Sequence, residues 1–462
     1  MAIVVGIPGP QGVPGETGAT GAAGNTMLTT SGAPSDTVGN NGDFAHDPTA
    51  QVMYGPKANG VWPAGASYKG ATGAQGVPGA NARWVAGTSY IGIVGTRGKA
   101  PGAVSSTLKS HMARTVMEAR DNITQIGVLF ANWYASLAAG GEGPIGGDCT
   151  ITASIEYPLG GTVHRLTFDG SNSGTARDFS TLKSDLITLA IPNGAQFAVR
   201  EYRIYPGAGG VCYNANGPGI APNLALGDCY VYESPIDLTG EAGSFTSTDT
   251  ITFAPPLGAY GPTVNPSYAI FGDSRAEGYL DDGADNEYVG NLARSIGPKR
   301  AFTNLAISGE TAAIAAGTQF NHRLSIAKNF CSHVVCDYGI NDIDTNDTLP
   351  DAILSLLAAI RNRVPGQWFW QNTLEPGGVS STDGFATVAN QTISARNGSR
   401  VWINNYLRSG ITYFDGVNDA CSVVENGINS GKWNAPGQTT DGTHCTPAAY
   451  AAIASSGVIT VA

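Results

Sequence analysis

Ala269-Ile-Phe-Gly-Asp-Ser-Arg-Ala-Glu-Gly-Tyr279 is the stretch that decides the fold of the C-terminal part of this chain. A short apolar run stops at Gly272-Asp273-Ser274. That is the pattern of a strand presenting a serine at its C-terminal edge, the edge where an open α/β sheet binds its ligands. A serine at a strand-to-helix turn keeps its hydroxyl exposed, where a base can take the proton. Many turns use Gly, Asp and Ser for backbone reasons alone, so the triplet gains weight only from partners further along.

From Pro266 onward the rhythm is that of alternating strands and helices. Val289, Leu292, Ala293 and Ile296 recur at i, i+3, i+4 and i+7, and Gly297-Pro298 ends that helix. A strand reaching Ile307, a helical stretch and the strand 333–337 follow. Ile353, Leu356, Leu357, Ile360 and Val364 mark a second amphipathic helix, opened by Pro350. A strand over 368–373, a helix near 385–395 and a strand over 401–404 continue the series. Repeated units of this kind predict a parallel sheet with helices on both faces.

The C-terminal ends of these strands carry chemistry. After the second comes Asn304-Leu-Ala-Ile-Ser-Gly309-Glu-Thr311, after the third Tyr338-Gly-Ile-Asn341-Asp342. Asp441-Gly-Thr-His444 stands just before a helix start at Thr446-Pro447. An ester carbonyl needs a nucleophile, and a serine hydroxyl needs a base beside it to serve as one. A histidine supplies that base at neutral pH, a carboxylate fixes its tautomer, and the developing oxyanion needs preorganised donors.

Gly-Asp-Ser, a Gly after strand two, Gly-x-Asn-Asp and Asp-x-x-His, in that order, resemble the signature blocks of the SGNH (GDSL-type) hydrolases. The resemblance covers residues 265–462 and implies a three-layer α/β, flavodoxin-like domain. It implies Ser274 as nucleophile, His444 as base and Asp441 as its orienting carboxylate. The oxyanion donors would be the N–H groups of Ser274 and Gly309 and the side-chain amide of Asn341. Gly309 suits that role because a residue without Cβ lets the backbone approach a ligand closely. No metal or cofactor is required. Arg275 departs from the family pattern, which has a hydrophobic residue after the serine. By position, Trp370, Asn372, Glu375 and Trp433 are candidate substrate contacts, with core packing or loop structure as the alternative. Asp273 is expected to brace the turn.

Upstream the chain changes character. A glycine falls at every third position from Gly6 to Gly24, and the period resumes over Gly70, Gly73, Gly76 and Gly79. Three polyproline II chains meeting at a crowded axis require that spacing. Strict register therefore predicts a collagen-like triple helix and, with it, a homotrimer. Between the tracts lie Gly42-Asp-Phe44, Tyr54-Gly-Pro-Lys57 and Gly60-Val-Trp-Pro63, which read as a tiny module of strands and turns. The arrangement resembles the collagen-like tail fibres and tail proteins of bacteriophages, and implies a virion appendage.

Residues 81–264 alternate with a period of two. Ile126, Val128 and Phe130 form one such set; Ile151, Ala153, Ile155 and Tyr157 a second; Ile187, Leu189 and Ile191 a third; Phe197 and Val199 a fourth. An antiparallel β-sandwich or jelly roll is the natural reading. Its Trp133, Tyr134, Tyr202 and Tyr205 would either stack on sugar rings or fill the core.

The predicted organisation is thus a collagen-like stalk (1–24), a small β module (25–69), a second collagen-like tract (70–80), a β-sandwich (81–264) and the hydrolase domain (265–462). A net charge of −11 argues against nucleic acid or an anionic membrane as the partner. No window approaches the roughly 20 apolar residues of a membrane span, and Met1-Ala-Ile-Val-Val5 lacks the features of a signal peptide. Cys212/Cys229 and Cys421/Cys445 each flank a loop and are either bridged or buried thiols. The expectation is a virion tail protein, trimeric, held to other tail proteins at its N-terminus. It would act on host cell-surface polysaccharide as a serine esterase. A glycan-adhesive fibre without catalysis, and a lipase or thioesterase, are the alternatives.

Overall fold

The computed structural model describes residues 25–67, 83–137, 139–213, 222–248, 255–281, 288–344, 348–410 and 413–462. Both Gly-x-y tracts lie outside the described residues. The chain divides into two compact units, Met1–Gly76 and Val77–Ala462.

In the first unit the strands Met27–Thr29, Phe44–Asp47, Val52–Tyr54 and Ala66–Ser67 form one sheet in chain order, the first pair parallel and the others antiparallel. The motif residues hold it together. The Asp43 carboxylate accepts from the N–H groups of Thr26 and Asn40, both at 2.7 Å. Lys57, buried, donates to the carbonyls of Asp36, Val38 and Gly39, and Trp62 donates its indole N–H to Val38.

The second unit begins with two antiparallel sheets. One is built on the 14-residue strand Ile123–Ser136 with Gly141–Pro144, Gly258–Thr263, Tyr90–Ile93, Ser180–Lys183 and Ile187–Ile191. The other contains Cys149–Glu156, Gln196–Ile204, Ser110–Glu118 and Cys229–Tyr232 as its main strands. Ile126, Val128 and Phe130 from the first meet Ile151, Ala153, Ile155, Phe197 and Val199 from the second in one core, so these period-two sets face each other. The opposite face of Ile123–Ser136 is also apolar: Leu129, Ala131, Trp133 and Ala135 belong to a second core, shared with the α/β part. Trp133 is therefore core, stacked on His322.

The α/β sheet has six parallel strands in the order Gly416–Asn418, Trp368–Asn372, His333–Asp337, Ser267–Gly272, Ala301–Asn304 and Gly98–Lys99. Alternation along one strand shows the layers. Ala269 and Phe271 pack with the helices Asn321–Phe330 and Pro350–Asn362, whereas Tyr268 and Ile270 pack with Asn291–Ile296 and Pro447–Ser456. Helices thus cover both faces. The edge strand Gly98–Lys99 comes from well before residue 265, so the sheet recruits sequence from the preceding region. The chain leaves Ser267–Gly272 for one neighbour, Ala301–Asn304, and returns to the other, His333–Asp337. That reversal opens a crevice at the C-terminal edge.

Two expected elements differ. Residues 401–404 are not a strand but lie in the helix Asn397–Arg408, whose buried residues are Arg400, Ile403, Asn404 and Leu407. Half of that inward face is polar, which hides the helical period from an apolar count. The last strand is Gly416–Asn418 instead. No helix forms near 385–395, because the Asp383 carboxylate gathers Ser381, Thr387, Asn390 and the Ala386 N–H into a compact loop. That loop is closed by Ser380–Ser381 pairing with Gln391–Thr392. All seven cysteines are buried and unbridged.

Candidate active site

Ser274 opens a four-residue helical turn, Ser274–Glu277, at the end of Ser267–Gly272. Asp273 is its N-cap and accepts from the Arg275 N–H at 3.1 Å. Gly272 permits the turn by close packing: a Cβ there would lie 2.5 Å from Ala276 Cβ. His444 and Asp441 stand on the turn before the helix Pro447–Ser456, capped by Thr446. Ser274 Oγ lies 2.8 Å from His444 Nε2, and His444 Nδ1 lies 2.7 Å from Asp441 Oδ2. Three residues spread over the domain meet in one relay.

The protonation of the relay follows from its electrostatics. Burial works to raise the Asp441 carboxyl. Hydrogen bonds from the His444 ring and from the N–H groups of His444 and Thr443 outweigh it and hold the acid well below the usual carboxylate range. An ionised carboxylate only accepts, so the proton sits on Nδ1. Nε2 is then free to accept from the Ser274 hydroxyl. Tyr450, on the C-terminal helix, donates to the carbonyl of Tyr279 at 2.9 Å, and the Tyr279 ring lies 4.6 Å from that of His444. These contacts tie the serine turn to the histidine turn.

Of the expected donors, Gly309 follows Ser308, whose N–H donates to Glu277 at the end of the serine's helical turn. Gly309 has φ +78°, a backbone state that favours glycine. Among the described residues, neither its N–H nor that of Ser274 has an acceptor. The Asn341 amide gives one N–H to the Glu310 carbonyl at 3.1 Å and keeps a second in hand. Asp342 caps the helix Ala312–Ala316, accepting from Ala312 at 2.7 Å and Ala313 at 3.1 Å.

The four proposed substrate contacts need correction, because packing claims them. Trp433 is fully enclosed, and its indole N–H donates to the Gly442 carbonyl within the histidine turn. Asn372 is fully enclosed and accepts from Asn418. Glu375 is buried and pairs with Arg275 at 3.0 Å. Trp370, half-buried, stacks on His333. Each supports the site or the sheet from behind.

Arg275 turns inward, bonding the Glu375 carboxylate and the carbonyls of Glu375 and Pro376. Beneath the serine this leaves three buried carboxyls, Asp273, Asp337 and Glu375, around one guanidinium. Both oxygens of Asp337 and one of Asp273 find no hydrogen-bond partner among the described residues. Burial, opposed by Arg275, pushes Asp273 up to about 7. Burial together with Glu375 and Asp273 also pushes Asp337 well above the usual carboxylate range.

Sequence reasoning missed the residues that lock the site from a distance. Lys99 and Glu277 pair at 2.9 Å across 178 positions. Leu137 packs against Gly309, its Cδ1 lying 2.6 Å from where a Cβ would be. No local spacing signals such pairings; only the Glu in the quoted stretch was visible.

Residues 270–452 match the GDSL-like lipase/acylhydrolase family. A GDSL-type serine esterase domain forms the C-terminal part of the chain. Solved structures that match parts of the chain include TesA (16% identity, 41% of this chain, 95% of that one, TM-score 0.30). Phospholipase A1 from Streptomyces albidoflavus NA297 is another (17% identity, 41% of this chain, 95% of that one, TM-score 0.29). The Bacillus subtilis protein YXIM_BACsu covers more (12% identity, 80% of this chain, 96% of that one, TM-score 0.32). A 71-residue stretch, 15% of this chain, is 41% identical to collagen-like protein 1 of Acanthamoeba polyphaga mimivirus. The match spans 6% of that protein's length.

Proposed function

We propose that this chain is a trimeric bacteriophage tail fibre or tailspike whose esterase domain removes O-acetyl or similar acyl groups from a host surface polysaccharide. The observation that carries the chemistry is the relay from Asp441 through His444 to Ser274. Ser274 Oγ attacks the acyl carbon as His444 Nε2 takes its proton. The N–H groups of Ser274 and Gly309 and the amide of Asn341 hold the oxyanion, each donor being worth about 3 kcal/mol in the transition state. His444 returns the proton to the departing alkoxide, leaving an acyl-serine. A water activated by the same imidazole then releases the acid.

The stalk reading rests on the Gly-x-y register and is supported by the likeness to a viral collagen-like protein. Three chains wound together would carry three esterase domains outside the host cell, with the N-terminus joined to other tail proteins. An acidic chain with 13% charged residues fits a neutral or acylated glycan better than a nucleic acid. A preference for long acyl chains is the competing reading, favoured by the lipase/acylhydrolase description of the matching family.

The test is release of acid from acetylated host polysaccharide and from chromogenic esters of increasing acyl length. Ser274→Ala runs alongside. Acetate release by the native protein alone supports the reading. Equal release by both proteins removes the serine mechanism, and faster turnover of long-chain esters selects the lipase reading.

A further inference from the structure

The strand Ile123–Ser136 runs out of the β-sheet region directly into Leu137, which is 50% exposed although it packs against Gly309. Its position is fixed on both sides. The turn is closed by Gly140 N–H donating to the Leu137 carbonyl at 2.9 Å and by Ala139 N–H donating to Ser136 Oγ at 3.2 Å. The returning strand pairs Gly141 with Ser136. Its Glu142, buried, accepts from the N–H groups of His322 and Arg323 at 2.7 and 2.9 Å and from Arg323 Nε at 3.1 Å. Arg323 in turn grips both oxygens of Glu310 at 2.7 Å, the residue after Gly309. Hydrogen bonds and ion pairs therefore link the hairpin to the oxyanion loop through Glu142, Arg323 and Glu310.

The stereochemistry of the reaction says what Leu137 faces. In the tetrahedral intermediate the leaving oxygen must lie within reach of His444 Nε2, so the alcohol occupies the side of His444 and Tyr279. The oxyanion points to Gly309 and Asn341. The remaining substituent, the acyl chain, is directed away from the imidazole, and the apolar side chain packed on Gly309 is Leu137. We propose that Leu137, supplied by the β-sheet region, bounds the acyl subsite and restricts the enzyme to short acyl groups such as acetyl. This rests on the serine mechanism proposed above.

The experiment compares kcat/KM for p-nitrophenyl acetate, butyrate and hexanoate in the native protein, Leu137→Ala, Leu137→Phe and Ser274→Ala. One methylene in an apolar pocket is worth about 10-fold or more in discrimination. Leu137→Ala is expected to raise the butyrate-to-acetate ratio about tenfold, and Leu137→Phe to lower it, each with an unchanged unfolding midpoint because the side chain is half exposed. An unchanged ratio in both variants, with Ser274→Ala inactive, overturns the acyl-wall assignment and leaves the nucleophile standing. A Ser274→Ala protein as active as the native one overturns the catalytic reading itself, and the wall with it.

Discussion

Glu277 joins the serine turn to the Ser308-Gly309 loop with one carboxylate, and its removal is expected to cost both stability and rate. One oxygen bonds Lys99 Nζ at 2.9 Å. The other accepts from the Ser308 N–H at 2.8 Å and from the Ser308 hydroxyl. Ser308 precedes Gly309, and Glu277 closes the helical turn that Ser274 opens, so the carboxylate spaces nucleophile and donor. Lys99 and Glu277 side chains are only 11% and 8% exposed. Glu277→Ala leaves a nearly buried ammonium unpaired and a backbone donor free, a loss of about 3–5 kcal/mol. A full oxyanion donor is worth about 10²–10³ in kcat. A loosened loop displaces that donor rather than deleting it, so a fall of about 10–100-fold in kcat is expected, with little change in KM. Glu277→Gln keeps an acceptor for Ser308 and should recover most of kcat while remaining less stable. The assay is kcat and KM on p-nitrophenyl acetate with urea unfolding of Glu277→Gln, Lys99→Met and the double variant. A coupling energy above about 1 kcal/mol is expected. A Glu277→Ala kcat within about twofold of native would refute the bracket, and strict additivity would refute the pairing.

Asp441→Asn should leave the fold intact yet lower kcat by about 10⁴-fold, because an amide no longer fixes the Nδ1 proton; a drop below about tenfold contradicts the relay. In the β-sheet region, Arg114 and Arg200 both bond the buried Glu156, at 2.7 and 2.8 Å. Glu156→Gln should therefore destabilise by about 3–5 kcal/mol in a urea titration. Burial opposes ionisation of Glu156, but the two arginines and the Gly160 N–H win and hold it at about 2. Its folded value is depressed, so this stabilisation is present above the ordinary 4.5 and is lost as pH falls towards 2; a midpoint flat through that window contradicts it. Asp273 behaves oppositely. The folded state keeps a proton that the unfolded chain loses above 3.8, so stability falls as pH rises from 3.8 to about 7. Burial raises Asp337 in the same direction, so Asp337→Asn should remove its share of the fall, gaining more than about 1 kcal/mol at pH 8 in chemical denaturation. An unchanged slope refutes the retention of a proton on Asp337.

What could be read in the sequence is what depends on neighbours in the chain. The period-two sets, the helix Pro350–Asn362, and the serine, asparagine and histidine turns all announce themselves within about ten residues. The helix Asn397–Arg408 escaped because Arg400 and Asn404 face inward. Arg400 bonds the Leu374 carbonyl and Glu425, and Asn404 both donates to and accepts from the Leu374 backbone. Paired polar groups can occupy a core face, and no hydrophobicity count finds them. The substrate-contact reading failed for the same reason: Trp433 and Glu375 carry groups that could bind a sugar, but the indole N–H and the carboxylate are spent on Gly442 and Arg275.

The antiparallel sheets that precede residue 265 in the second unit are structurally part of the esterase. A strand that is apolar on one face can be docked or removed; Ile123–Ser136 is apolar on both and belongs to two cores at once. Gly98–Lys99 is the edge strand of the α/β sheet, beside Ala301–Asn304. It sets Lys99 under the serine turn, and the hairpin after Ser136 sets Glu142 against Arg323. An isolated 265–462 fragment would expose Ala269-side core, lose the edge strand and free both Glu277 and Arg323 of a partner. The β-sheet region is thus a working part of the active-site scaffold.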